Sequence, residues 1–169
     1  MEEPIVNRVE ESGLIQVDLG ELLTPRPAAA VDLAGWLDQG IVLREKAFRQ
    51  QVSEWDASVL EGHVVAIHCS SDAILPDWAW MLVAAKLQSF EAFSLVGSPE
   101  KAQTHAWRLA IEALDLDTYR DQRVIVKGCA TAGGPATLVA FTQRIGTVVR
   151  SLMFGEACSA VPLIKNPKQ

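Results

Sequence analysis

A chain of 169 residues, 49% of them hydrophobic and with a mean hydropathy of +0.15, is long enough for one domain with a substantial core and excludes an extended disordered protein. A formal charge of −6 with no basic stripe argues against nucleic acid as a partner, whose binding rests on many lysines and arginines meeting phosphates; the tail "IKNPKQ" is mildly basic but short. The densest apolar stretch, Met81 to Ala85, falls far short of the ~20 residues that cross a bilayer, and the acidic start "MEEPIVNRVEE" has no apolar signal-peptide core, so a cytoplasmic protein without membrane contact is expected.

The first thirty or so residues read as a polar leading segment, a short strand "LIQVDL" (Leu14 to Leu19) and a Pro-punctuated loop "TPRPAA". Asp32 is placed to cap a short helix "LAGWLDQ", with Gly40 as its stop. "REKAFRQQVSEW" sets Phe48, Val52 and Trp55 at helical spacing, which predicts one inward-facing apolar stripe. After Gly62 a regular alternation begins. "HVVAIHC" is a β-branched strand, "PDWAWMLVAAKL" a helix with Pro76 at its start, and "FSLVG" the next strand. "SPEKAQTHAWRLAIEAL" is a helix with Ser98 as N-cap and Pro99 at its first position. "RVIVKGC" is a further strand, residues 135 to about 150 a helix, and "SLMFGE" the last strand.

Near-continuous apolar strands alternating with helices imply a three-layer α/β fold, a mostly parallel sheet with helices on both faces. One domain over residues 1–169 is expected, with residues 1–60 as an N-terminal strand and helix segment and 61–158 as the alternating core. In such sheets chemistry gathers at the carboxyl ends of the strands. Cys69 closes "HVVAIH", Cys129 closes "RVIVKG", and Cys158 follows "SLMFG", so all three thiols map to one sheet edge. Three cysteines in a reducing compartment make a poor disulfide framework.

Three thiols at one edge suggest a metal or cluster site, and zinc would require the sulfurs to converge at bonds of about 2.3 Å. The fourth position would fall to Asp72, His68, Glu156 or water. Asp72 lies three residues after Cys69, whereas His68 is adjacent and in an extended strand points to the opposite face. A reactive thiol is the other chemistry. Free cysteine ionises near a pKa of about 8.5, and a helix N-terminus after Cys69 or Cys129, or Lys127 beside the latter, would favour thiolate. Buried cysteine also serves as a small hydrophobe, although the flanks "HCSSD", "KGCATAGG" and "GEACSAVP" are polar and glycine-bearing. His63 and His105 read as ordinary strand-edge and helix residues. The Gly133-Gly134 loop in "TAGGPAT" precedes a helix as an anion cradle would, but matches neither the Walker nor the dinucleotide fingerprint. Trp78 and Trp80, two apart on a helix, cannot both face inward, so one is expected in the core and the other at a site or partner surface.

The blocks "EEPIVNRVEESGLI", "CSSDAILPDWAWML", "VIVKGC" and "FGEACSAVPL" resemble an uncharacterised bacterial domain-of-unknown-function family, the twenty-four-eighty family, over nearly the whole chain. The resemblance implies no established activity. It does imply a genomic context beside iron–sulfur assembly proteins of the sulfur-mobilisation type, which would then be the partners, and a use for Cys69, Cys129 and Cys158. "TAGGPAT" is not one of the family's blocks.

The leading expectation is an accessory protein binding an iron–sulfur cluster or zinc through Cys69, Cys129 and Cys158. The alternative is a thiol enzyme or sulfur carrier in which Cys69 is the activated group. A third is a non-catalytic interaction module with buried cysteines.

Overall fold

The computed structural model describes residues 13–128, 133–156 and 158–167. The chain divides into two compact units: one joins the segment ending at Thr24 to Trp107–Gln169, and the other is Pro25–Ala106. The polar leading segment of the sequence reading lies largely outside the described residues.

In the Pro25–Ala106 unit, β2 (Ala28–Asp32), β3 (Val64–His68) and β4 (Phe93–Val96) form a parallel sheet in the order β2-β3-β4. The central strand reads VVAIH and buries Val64, Val65, Ala66 and Ile67, as a strand covered on both faces must. Helix α2 (Glu45–Glu54) buries Phe48 and Val52, and α3 (Asp77–Gln88) buries Ala79, Val83 and Leu87, four residues apart along one helix face. These side chains join Leu33, Val65 and Ile67 in one core. Phe48 meets Trp36 and Trp78 edge-on at 5.9 Å each, and Trp36 meets Trp55 at 5.1 Å. At the opposite end of the strands, Arg26 donates through Nε and Nη2 to the carbonyls of Gly62 and Glu91, tying the starts of β3 and β4 to the chain ahead of β2.

The other unit holds β1 (Leu14–Val17), the single-turn α1 (Leu19–Leu22), β5 (Arg123–Val126), α5 (Gly134–Ile145), β6 (Ser151–Phe154) and β7 (Val161–Lys165). Helix α4 spans Pro99–Glu112, and its residues from Trp107 belong here. The sheet order is β1-β5-β6-β7, parallel except for the β6–β7 pair, which is antiparallel and shifts register between Leu152 and Met153. One sheet face contributes Val17, Val124, Val126 and Leu152 to a core completed by Ile111, Tyr119, Phe141 and Ile145.

The expected α/β class, with mostly parallel strands and helices packed on them, holds; the strands are shared between two sheets. Strand β1 stops at Val17 because the Asp18 carboxylate accepts the amide of Gly20 at 2.9 Å and starts α1. Asp32 caps as expected, but over a 3-10 turn, Leu33–Trp36, that ends well before Gly40. Helix α5 ends at Ile145, not near residue 150. Two strands were not anticipated. "AAAVD" pairs as β2 inside what reads as a proline-punctuated loop, and "VPLIK" adds β7 after the strand taken as last.

Candidate functional site

The carboxyl ends of β2 and β3 meet at Asp32 and His68, which are register partners. Asp32 Oδ1 accepts the amide of Ala34 at 3.0 Å and the amide of Ser70 at 3.0 Å, so one carboxylate closes the turn after β2 and holds the turn after β3. The Ser70 hydroxyl, then the Ala34 amide, hold the Asp32 carboxyl below the usual aspartate range, against a smaller opposing effect of desolvation. His68 Nδ1 lies 4.0 Å from Asp32 Oδ1.

Cys69 directly follows β3. Its parity is that of Val65 and Ile67, and it packs half-buried against the same core. Its Sγ lies 3.2 Å from Ser71 Oγ, a hydroxyl able to donate to the sulfur. His68, one residue earlier, takes the opposite strand face, as its adjacency implies. The connection that carries Cys69 then lines a groove of about 680 Å³ through Asp72, Ala73, Ile74 and Pro76, with Ile41, Val42 and Trp78 among the facing residues. Ile74 is 96% exposed on its rim. Trp78 and Trp80 are both partly buried against the core, and Trp78 also lines the groove, with the Arg49 guanidinium 4.8 Å from its ring centre.

The helix expected from Pro76 is found, with Pro76 as N-cap and α3 beginning at Asp77, but residues 70–76 form an irregular connection before it, so the expectation that Cys69 sits at the helix N-terminus is corrected. Pro76 disfavours helical backbone at Leu75, so the helix cannot reach back toward Cys69. Cys158 is an exposed free thiol, and Glu156 beside it is exposed. Cys129 lies outside the described residues, as does part of "TAGGPAT", so neither the convergence of the three sulfurs nor the role of Lys127 beside Cys129 has a geometry here. Among the described residues no three of His, Cys, Asp and Glu gather in a way that would hold a metal ion. Gly133 and Gly134 both have positive φ, +70° and +69°, and Gly133 is the N-cap of α5. His63 Nδ1 lies 2.9 Å from the carbonyl of Glu61, and His105 stacks on Phe93 at 4.7 Å, both ordinary structural placements.

The family described as "Protein of unknown function (DUF2480)" matches residues 3–166. The chain belongs to this family. No curated protein and no solved structure matches the chain. The span matched to DUF2480 contains all three cysteines and both strand ends that form the Asp32–Ser70 link.

Asp32 and Ser71 are the members of this candidate site that sequence reasoning passed over. Asp32 reads as a helix cap, and nothing local reveals that its second partner sits 38 residues away. Because folding lowers the Asp32 pKa, its contribution is present above the ordinary aspartate value of about 3.9 and is lost as pH falls through the lower folded value. Asp32→Ala should therefore cost about 1 kcal/mol at pH 7, as loss of a capping carboxylate does, and the gap to the parent in urea unfolding should narrow on acidification. A gap independent of pH would mean that the carboxylate charge contributes nothing.

Proposed function

We propose that the chain is a thiol-dependent sulfur carrier in which Cys69 is the accepting group. The observation behind this reading is the placement of Cys69: a half-buried free thiol at the carboxyl end of the central parallel strand, 3.2 Å from the Ser71 hydroxyl, on a turn pinned by the Asp32–Ser70 bond. That is where parallel sheets collect reacting groups. The groove beside the turn gives a donor a surface on which to seat.

The transfer is a thiol exchange. The Cys69 thiolate attacks the outer sulfur of a donor persulfide, the donor S–S bond breaks, and the donor leaves as a thiolate carrying the electron pair. Cys69 then holds the persulfide, and the same exchange in reverse sense passes the sulfur to an acceptor thiolate. The link to iron–sulfur assembly that the family resemblance implies would suit this chemistry, since cluster building consumes sulfur delivered as persulfide, and a reducing cytoplasm would keep Cys69 free.

The test is intact-mass analysis after anaerobic exposure to glutathione persulfide, with metal analysis of the same preparation. A gain of one sulfur atom is expected on the parent and on Cys158→Ser, and none on Cys69→Ser. Transfer unaffected by Cys69→Ser would overturn the proposal. So would stoichiometric zinc or iron lost alike from Cys69→Ser, Cys129→Ser and Cys158→Ser, because shared loss is the mark of ligands acting as a unit.

A further inference from the structure

In the β1-β5-β6-β7 sheet, Arg123, Ser151 and Lys165 stand in one register row: Arg123 pairs with Ser151, and Ser151 pairs with Lys165. Residues in register share a sheet face, and this row lies on the face opposite Val124 and Leu152, which fill the core. Arg150 precedes Ser151 and joins the row at a pocket of about 440 Å³ whose apolar wall includes Met153 and Pro162, themselves register partners. The volume falls in the range of sites for small molecules. Among the described residues no carboxylate lines it.

The three cations are also unspent. Among the described arginines, Arg44, Arg49, Arg108 and Arg120 are ion-paired, and Arg26 and Arg144 donate to backbone carbonyls. Arg123 and Arg150, both exposed, have no such partner among the described residues, and neither does Lys165. In a chain of net charge −6 whose other described arginines are engaged, two open guanidiniums and an ammonium around one hollow are an arrangement that costs mutual repulsion unless an anion occupies it. Asn166 at the same pocket is committed elsewhere: its Nδ2 donates to the carbonyls of Gly146 and Val149 at 2.8 Å each, which fixes the backbone that carries Lys165.

We propose that this pocket binds a small phosphorylated molecule, its dianionic phosphate held by Arg123, Arg150 and Lys165 with the Ser151 hydroxyl, and its apolar body against Met153 and Pro162. A phosphate monoester fits better than a carboxylate, because its three oxygens and near-double charge can engage two guanidinium forks and a lysine at once. The site is independent of Cys69.

Calorimetric titration of the full chain with phenyl phosphate, inorganic phosphate and benzoate tests this. Phenyl phosphate should saturate one site, more tightly than inorganic phosphate and much more tightly than benzoate. Arg123→Gln and Arg150→Gln should each weaken it by about tenfold or more, as loss of a charge-assisted hydrogen bond does, while Lys46→Gln on the exposed face of α2 leaves it unchanged. Both variants alter exposed side chains, and an unchanged melting temperature confirms folding. No saturable binding at millimolar phenyl phosphate, or binding indifferent to both variants, overturns the proposal. Random duplex DNA that competes fully for the same residues at physiological salt also overturns it, in favour of a general polyanion surface.

Discussion

Phe48→Ala should lower stability in urea unfolding by about 3–5 kcal/mol, at the upper end of the range for core truncations. The ring is fully buried and meets both Trp36 and Trp78 edge-on at 5.9 Å. Two large aromatic neighbours cannot collapse into the space without leaving their own contacts: Trp36 is tied to Trp55, and Trp78 lies under Arg49. The cavity therefore stays open, and the loss combines the transfer free energy of the ring with its dispersion contacts to both tryptophans. Phe48→Leu keeps most of the volume and should cost about 1.5 kcal/mol or less. Trp78 also lines the groove beside the Cys69 turn, so loosening it should appear as a change in Trp fluorescence together with altered access of alkylating reagents to Cys69. A Phe48→Ala loss below that of Phe48→Leu would show that the three-ring cluster repacks and that its rigidity has been overstated.

The elements most legible in the sequence are those with a strong local pattern. "VVAIH" is β-branched and apolar on both parities, and α2 shows its stripe through Phe48 and Val52. Strand β2 escaped because alanine has little strand preference and two prolines flank its start; its place is secured by pairing with β3, a contact between segments some thirty residues apart. Strand β7 escaped because Pro162 reads against a strand. Proline is tolerated on edge strands and at bulges, and β7 is an edge strand whose register with β6 shifts beside Met153, the partner of Pro162. Division into two sheets was not legible at all. Apolar alternation marks a strand as buried but carries no information on its partner, and β1 pairs with β5 across more than a hundred residues.

The candidate sites follow the same logic. That Cys69 ends a strand was readable from "HVVAIHC"; that Asp32 holds its turn was not, because the link depends on the β2–β3 register. The cationic pocket is a sharper case. Arg123, Arg150 and Lys165 are scattered singly along an acidic chain, and Lys165 lies in a tail that by itself looks too short to matter. Strand register, not sequence proximity, makes them neighbours.

Gly133→Ala should cost about 3 kcal/mol and should do so from two separable sources. At φ +70° an alanine adopts left-handed backbone, which costs about 1–2 kcal/mol because Cβ crowds the carbonyl oxygen. A Cβ built there would also lie 2.1 Å from Thr137 Oγ1 and 2.8 Å from the Trp107 ring, distances that force side chains to move. Thr137 is 2% exposed in the first turns of α5, and Trp107 packs on the core, so neither can give way without opening that core, a penalty of about 1–3 kcal/mol for overpacking. Gly134 supplies the control. It has nearly the same φ, +69°, but nothing within 4 Å of an added Cβ, so Gly134→Ala should show the backbone cost alone. The difference between the two variants in urea unfolding isolates the contact. It should shrink when Thr137→Ala is combined with Gly133→Ala, which removes the nearer of the two obstacles, and the remainder reports Trp107. Equal losses in Gly133→Ala and Gly134→Ala would mean that the tight approach of the α5 N-terminus to Thr137 and Trp107 carries no weight and that both glycines are kept for backbone freedom alone.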